Sequence, residues 1–174
     1  RPVPTARFMG GREYQMLTGG AVEKIRISDI EAVIANDTCP LPGRMSGVGP
    51  FPLGPGGWTG SPPETDQAKV AGATLYLALM SDTCLSLVGT GDRVVIEGPF
   101  AKNTTYAQVL TALIECPIHL STDTTGTATG AAMLMGYAPP RVLGPPLKPI
   151  QIEGLSAFRD RWRKLSAARS TVRK

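Results

Sequence analysis

Histidine and cysteine are scarce in this chain of 174 residues. It has one histidine, His119, and three cysteines, Cys39, Cys84 and Cys116, none in a CxxC pair. A zinc site needs about four closely spaced ligands, so no recognisable set is present. Three separated cysteines without a secretion signal predict a reducing, cytoplasmic setting. We interpret them as small apolar residues. A Cys116–His119 nucleophile pair is the weaker alternative, because a helix end running into a strand would separate the two side chains.

Long apolar runs are also missing. The run most like a membrane span is 70–80, between Lys69 and Asp82, and it is shorter than the ~20 residues that a spanning helix needs. The chain begins at Arg1, and no charged start followed by an apolar core and a cleavage site is visible. We therefore expect neither secretion nor a membrane partner. Apolar residues make up 42% and charged residues 18%, which excludes disorder driven by charge.

Positive charge is confined to one end of the chain. Residues 151–174 carry seven basic and two acidic side chains, a net +5, so the other 150 residues carry −1. A nucleic-acid-binding surface would spread Lys and Arg over the folded body. We therefore expect no nucleic-acid partner and interpret the terminal segment as a solvated basic helix.

Glycine and proline, in contrast, are abundant, with 20 and 16 residues. Residues 36–65 contain seven of each. Because proline lacks a backbone donor and glycine weakens helices and strands, this stretch predicts a long loop. A chain of one domain's length with this composition has long loops or is part of a larger protein. We expect the loop to be mobile in the isolated chain, because the surface that naturally covers it is missing there.

The remaining sequence alternates between helical and strand patterns. We expect a helix with Ser28 as its N-cap, because the spacing of its apolar residues places them on one helix face: Ile27, Ile30, Val33 and Ile34. The other expected elements are helices at 13–17, 66–88, 104–115, 126–136 and 155–168, and strands at 93–98 and 118–121. This alternation predicts an α/β fold with a mainly parallel sheet. We divide the chain into a domain at 1–147 and a basic helix with its tail at 148–174.

Two turns follow the predicted strands, at 98–103 and at 123–130. Ligands gather at the carboxyl ends of parallel strands, and helix N-termini suit phosphate groups. Neither turn has the dinucleotide fingerprint or the P-loop pattern. The first turn has a purely structural interpretation, with Asn103 as the N-cap of a helix. In the second, Gly126 and Gly130 could simply let a helix pack tightly on the sheet.

The order of these features resembles the closing part of the FGGY family of carbohydrate kinases. The shared features are strand 94–97, the turn from Gly98 to Asn103, Gln108, strand 118–120 and the Gly-Thr-Ala-x-Gly-Ala-Ala helix start at 126–132. FMGGREY at 8–14 resembles the L-fuculokinase-like branch. The resemblance covers most of 7–136. It implies half of an actin-like ATPase, ribonuclease-H-like fold, with a mixed sheet flanked by helices and ATP in the cleft between two halves.

Carried over by position, the resemblance places the adenine and phosphate contacts on Gly98, Pro99, Phe100 and Asn103. A backbone N–H near Gly98 or Phe100 would meet a phosphate oxygen, and the Asn103 amide would face adenine. Pro99 departs from the family, which often has a second glycine there, and proline has no N–H to donate. The Phe100 ring would lie against the adenine or pack under the turn.

Phosphoryl transfer also needs a base and Mg²⁺. In the family the base is an Asp in the first part of the polypeptide, and no Asp here matches its motif. We therefore assign no catalytic and no metal-binding residue, and interpret Asp82 as a helix-face residue and Asp123 as a helix cap.

The resemblance implies the nucleotide-binding part of an ATP-dependent kinase that phosphorylates a monosaccharide, such as L-fuculose or another ketose. This part would be inactive without the missing N-terminal kinase domain. One alternative is a non-enzymatic nucleotide-binding module. Another is an interaction module that docks through Arg161, Trp162 and Leu165, although Phe158, Trp162 and Leu165 also have the spacing to pack on the parent domain. A homodimer is left open.

Overall fold

The computed structural model describes residues 2–45, 47–52, 54, 56–121, 126–137 and 143–170. Six α-helices and three strands are assigned within them. The helices are α1 (Gly10–Thr18), α2 (Ile27–Ala35), α3 (Asp66–Val88), α4 (Thr104–Leu113), α5 (Gly126–Leu134) and α6 (Leu155–Ser170). The strands are β1 (Val94–Ile96), β2 (Ile118–Ser121) and β3 (Leu143–Pro146).

Helix α3 is the centre of the core and contacts α1, α2 and α4. The hydroxyl of Thr65 caps its first turn by accepting from the Ala68 N–H at 3.2 Å. Residues 70–80 are buried on every side of the helix. The helix is long and apolar enough to cross a membrane, but 72% of its most apolar 18-residue window is buried within the fold. Its apolar composition therefore matches its place in the core.

The N-cap expected for α2 is wrong. The helix begins at Ile27, so Ser28 lies inside its first turn. The side chain of Asp29 accepts from the Arg26 N–H at 2.7 Å and satisfies the start of the helix instead. The expected face is confirmed, because Ile30 and Val33 are buried in the core.

The sheet is mixed rather than mainly parallel. Its strand order is β1-β2-β3, with β1 and β2 parallel and β2 and β3 antiparallel. The sequence did not predict β3, which has the sequence LGPP. Pro145 and Pro146 lack backbone donors, so such a strand is tolerated at a sheet edge, where β3 lies in the described sheet.

The glycine- and proline-rich loop is folded back on itself at its base. Pro40 and Trp58 form an antiparallel bridge, and the Leu41 N–H donates to the Gly57 carbonyl at 2.9 Å. Farther along, a Cβ on Gly43 would lie 1.7 Å from the Gly54 carbonyl oxygen, so the two backbones touch. The mobility expected for the middle of the loop stays a prediction.

Helix α6 covers this loop base with one face, so it is solvated only on the other face, where Arg161 and Lys164 are exposed. Trp162 is fully buried, and its indole N–H donates to the Pro40 carbonyl at 2.8 Å. Arg161 pairs with Asp37, and Arg163 pairs with the buried Asp82 at 2.8 Å. The alternative in which Arg161, Trp162 and Leu165 dock on a partner is therefore wrong, and the apolar face packs on the parent domain, as its spacing indicated.

Candidate functional site

The turn between β1 and α4 lies at the carboxyl end of β1 and contains the four residues selected from the sequence. Gly98 has φ 76° and ψ −162°, a region that is open almost only to glycine. An added Cβ would meet no described atom within 4 Å, so backbone conformation and not crowding requires glycine here. Pro99–Lys102 then form one turn of 3₁₀ helix that leads to Asn103.

Asn103 caps α4, which confirms its structural interpretation. Its side-chain Oδ1 accepts from the Tyr106 N–H at 2.9 Å. Among the described residues, the amide nitrogen of Asn103 has no acceptor. The cap therefore fixes the side chain and leaves its NH₂ group able to donate to a ligand.

Two backbone donors of the turn have no acceptor within the described ranges. They are the N–H groups of Gly98 and Phe100, and Pro99 between them has none to offer. The exposed Lys102 adds a positive charge on the same turn. Unpaired N–H groups beside a lysine suit an anion such as a phosphate.

The Phe100 ring packs beneath the turn. Its centroid lies 5.7 Å from that of Tyr14, edge to face, and 5.7 Å from that of Tyr106. The Tyr106 hydroxyl is in turn 2.8 Å from the Ser81 hydroxyl, and burial raises the pKa of Tyr106. This geometry favours the packing interpretation of the ring over a face laid against adenine.

The second sequence-selected turn is only partly described. Residues 122–125 lie outside the described ranges, and with them the interpretation of Asp123 as a cap. Gly130 lies on α5 and is exposed, and a Cβ there would meet no described atom within 4 Å. Close packing of α5 on the sheet is therefore not the reason for glycine at this position.

The other titratable candidates have separate structural partners. The Cys116 thiol donates to the Gly91 carbonyl at 3.3 Å, while His119 Nδ1 lies 2.8 Å from the Gly144 carbonyl, so the two form no catalytic pair. Burial raises the pKa of Cys39 and of Cys84. Within the described part of the chain, no three His, Cys, Asp or Glu residues are grouped to hold a metal ion.

Asp82 is on a helix, as expected, but it is buried and not on a solvated face. Its carboxylate accepts from Arg163, and loss of hydration nevertheless raises its pKa. The opposite holds for Asp37, whose pKa is lowered mainly by the hydrogen bond from Arg161. Both carboxylates are thus occupied by α6.

The sequence analysis missed a buried polar cluster between α1 and α3. Tyr76 donates to Glu13 Oε2 at 2.7 Å, with both residues buried. Burial and the neighbouring Glu13 charge raise the pKa of Tyr76. Arg44 is close enough to interact electrostatically with Tyr76 and Glu13, and its Cζ lies 5.7 Å from the centroid of the Trp58 ring. Burial lowers the pKa of Arg44. No local pattern indicates this cluster, because Glu13 and Tyr76 are 63 residues apart.

Comparison with known proteins gives a consistent set of matches. Residues 1–142 match the model of the family described as carbohydrate kinase FGGY, C-terminal domain. A carbohydrate kinase from Novosphingobium aromaticivorans is similar at 29% identity with a TM-score of 0.75. A xylulose kinase from Rhodospirillum rubrum, at 18% identity and a TM-score of 0.58, shares the fold. Each of these two structural matches covers 94% of this chain and 37% of the chain of the other kinase. No curated protein sequence matches.

Proposed function

The chain belongs to the FGGY carbohydrate kinases, as a C-terminal domain, and on that premise we propose that it supplies the nucleotide-binding part of an ATP-dependent sugar kinase. The observation that carries the proposal is the turn 98–103, which presents unpaired backbone donors at the carboxyl end of a parallel strand. Since the chain spans 37% of the kinases it resembles, the activity of the whole enzyme is part of the proposal.

The proposed contacts follow from the donors that the turn leaves free. The N–H groups of Gly98 and Phe100 bind phosphate oxygens, and Lys102 adds charge. Pro99 makes only van der Waals contact. The Asn103 NH₂ group donates to a ring nitrogen of adenine, because its Oδ1 is held by the helix cap. The Phe100 ring supports the turn from below.

ATP and Mg²⁺ are the proposed cofactors, and a monosaccharide such as L-fuculose or another ketose is the proposed acceptor. Because no three His, Cys, Asp or Glu side chains are clustered among the described residues, we place the ligands of Mg²⁺ on the nucleotide phosphates and on the missing N-terminal domain. The catalytic base lies there too. Residues 1–174 alone therefore bind nucleotide without phosphorylating sugar. We propose a cytoplasmic setting, with residues 148–174 as a helical extension of the domain at 1–147.

Calorimetry with ATP and Mg²⁺ on three forms of the chain tests the nucleotide site. Asn103→Ser keeps an oxygen that can cap α4 but removes the amide donor, whereas Asn103→Ala removes both. We expect Asn103→Ser to weaken ATP binding about three- to tenfold, the value of one neutral hydrogen bond, with little change in stability. Asn103→Ala should weaken binding similarly and also destabilise the fold.

Equal ATP affinity of the wild type and Asn103→Ser would remove Asn103 from the site. Phosphorylation of a sugar by residues 1–174 alone would contradict the proposal that the fragment is inactive. Absence of ATP binding, both in this chain and in the complete gene product, would overturn the nucleotide-binding role itself.

A further inference from the structure

The segment FMGGREY at 8–14 leads into α1 and contains the residue that fastens this helix to the core. Glu13 is buried and accepts a hydrogen bond from Tyr76 on α3 at 2.7 Å. Leu17, four residues later on the same helix face, is buried in the core as well. Because an isolated helix of nine residues is marginal, these contacts are what hold α1 in place. The helix is therefore a fixed support for the side chains that it presents.

Tyr14 is the side chain that α1 presents to the turn 98–103. It follows Glu13 and is rotated by about 100° from it around the helix axis. Its half-buried ring meets the Phe100 ring edge to face, with 5.7 Å between the ring centroids and 82° between the ring planes. Such edge-to-face pairs are favourable beyond the area that they bury. The turn is thereby tied to a helix from a distant part of the sequence.

The Phe100 ring has a second aromatic contact, with Tyr106 at 5.7 Å between centroids. Tyr106 lies on α4, where its N–H donates to the Asn103 side chain at 2.9 Å and its hydroxyl lies 2.8 Å from the Ser81 hydroxyl. Tyr106 therefore holds Phe100 from the helix that directly follows the turn, whereas Tyr14 holds it from α1. A ring with contacts from two elements cannot change rotamer without losing one of them.

We propose that Tyr14 is a positioning residue for the backbone donors of the turn that bind phosphate. The inference rests on the proposed function, in which the N–H groups of Gly98 and Phe100 meet phosphate oxygens. The ring and the N–H of Phe100 belong to one residue, so a ring fixed by Tyr14 restricts rotation of the backbone that directs this N–H. Donors that are already oriented lose less conformational entropy when a ligand binds. Tyr14 thus raises the affinity for phosphate groups without contacting them.

The adenine contact depends on a different restraint. The Asn103 side chain is oriented by its own bond to the Tyr106 N–H, which does not involve Tyr14. Loss of the Tyr14 ring should therefore weaken the binding of ligands that carry phosphate and spare adenosine, which carries none. A residue with a purely structural role would weaken both ligands alike or neither. The comparison of ADP with adenosine separates the two roles.

Calorimetric titration of the complete gene product with ADP and Mg²⁺, and separately with adenosine, tests the proposal. We expect Tyr14→Leu to raise the dissociation constant of ADP about two- to tenfold, the equivalent of one aromatic pair, and to leave that of adenosine unchanged. Tyr14→Phe keeps the ring and should bind ADP as the wild type does. Val33→Ala, which opens the core on α2 without touching the turn, is the control for lost stability and should keep both affinities.

Phe100→Leu removes the same ring pair from the side of the turn and gives a second measurement. It should show the same loss for ADP and the same tolerance for adenosine, and it decides the question if Tyr14→Leu fails to fold. Wild-type affinity for ADP in these leucine variants, or an equal loss for both ligands, would overturn the proposal. A loss of ADP affinity in Tyr14→Phe as large as in Tyr14→Leu would also overturn it, in favour of a direct contact from the hydroxyl.

The outcome for the proposed function can be distinguished from the outcome for Tyr14. ADP binding that Asn103→Ser weakens and Tyr14→Leu does not would refute the positioning role and leave the nucleotide site standing. Absence of ADP binding in the wild-type gene product would overturn the nucleotide site itself, and the role of Tyr14 with it.

Discussion

At the scale of single residues, the conformation of Gly98 is the most demanding feature of the turn. At φ 76° and ψ −162° any side chain is strained, even though the space around it is open. We expect Gly98→Ala to lower the free energy of unfolding by about 1–3 kcal/mol. Urea denaturation measures the change, and calorimetry shows whether ATP binding falls with it.

Gly130 offers the matched control for that substitution. It is a helical and exposed residue, and an added methyl group would enter open space. Because alanine favours the helix over glycine, Gly130→Ala should raise the free energy of unfolding by about 0.5–1 kcal/mol. The two glycine substitutions are therefore expected to change the free energy of unfolding in opposite directions. An unchanged free energy of unfolding in Gly98→Ala would mean that the backbone at Gly98 relaxes readily.

Residue-scale features were predicted only where the signal is local. Asn103 could be identified as a cap because a cap bonds to a backbone group three residues away, and that spacing is visible in the sequence. The prediction that Ser28 caps α2 was wrong because the Asp29 side chain bonds to the backbone at the start of that helix instead. The Glu13–Tyr76 bond was not predicted, since only tertiary packing brings α1 to α3.

At the scale of elements, α6 anchors two carboxylates whose pKa values shift in opposite directions. The folded state lowers the pKa of Asp37, so this group stabilises the fold at neutral pH and loses that effect as the pH falls through its lowered pKa. The folded state raises the pKa of Asp82, so ionisation of Asp82 costs stability as the pH rises above about 3.8, its ordinary value.

Asparagine substitutions, measured by urea unfolding between pH 3 and pH 7, separate the two effects. Asp37→Asn should destabilise by roughly 0.5–1 kcal/mol at pH 7, since the pair is partly exposed, and the deficit should shrink in acid. Because the pKa of Asp82 is raised and its partner Arg163 is partly exposed, Asp82→Asn should be neutral or stabilising at pH 7, with its advantage over the wild type vanishing toward pH 3. A deficit for Asp82→Asn that grows with pH would contradict the assigned direction.

Among the elements, the sequence predicted α3, α4, β1 and β2 closely because each has a strong internal pattern. Helix α3 lacks Gly and Pro breakers apart from Gly72 and is apolar all round, and its observed bounds equal the expected 66–88. Strand β3 was missed because a Pro-rich sequence does not resemble a strand and is acceptable only at an edge. The mixed sheet flanked by helices, half of an actin-like ATPase fold, is nevertheless as expected.

At the scale of the whole molecule, the terminal helix and the rest of the chain share one core. Leu155, Phe158 and Trp162 are buried in the same cluster as α3. Although the sequence suggests a division at 147, we expect residues 1–147 alone to lose cooperative unfolding. Deleting α6 removes Trp162, whose loss alone costs about 3–5 kcal/mol, a large part of an ordinary domain's stability.

Calorimetric melting of residues 1–147 and 1–174 tests this expectation, with chains ending at 167 as a control that keeps the buried face of α6. The shorter chain should show no sharp transition, and the control should melt close to the complete form. A cooperative transition in residues 1–147 would mean that α6 is an appendage of an independent domain.

The bond from Trp162 to Pro40 also constrains the order of events during synthesis. It joins positions 122 residues apart, so the base of the Gly/Pro loop cannot acquire its cover until α6 has left the ribosome. Until then α1, α2 and α3 emerge with apolar surface uncovered. Helix α6 therefore completes a part of the core that is made long before it, and the apolar surface left exposed in between is prone to aggregation.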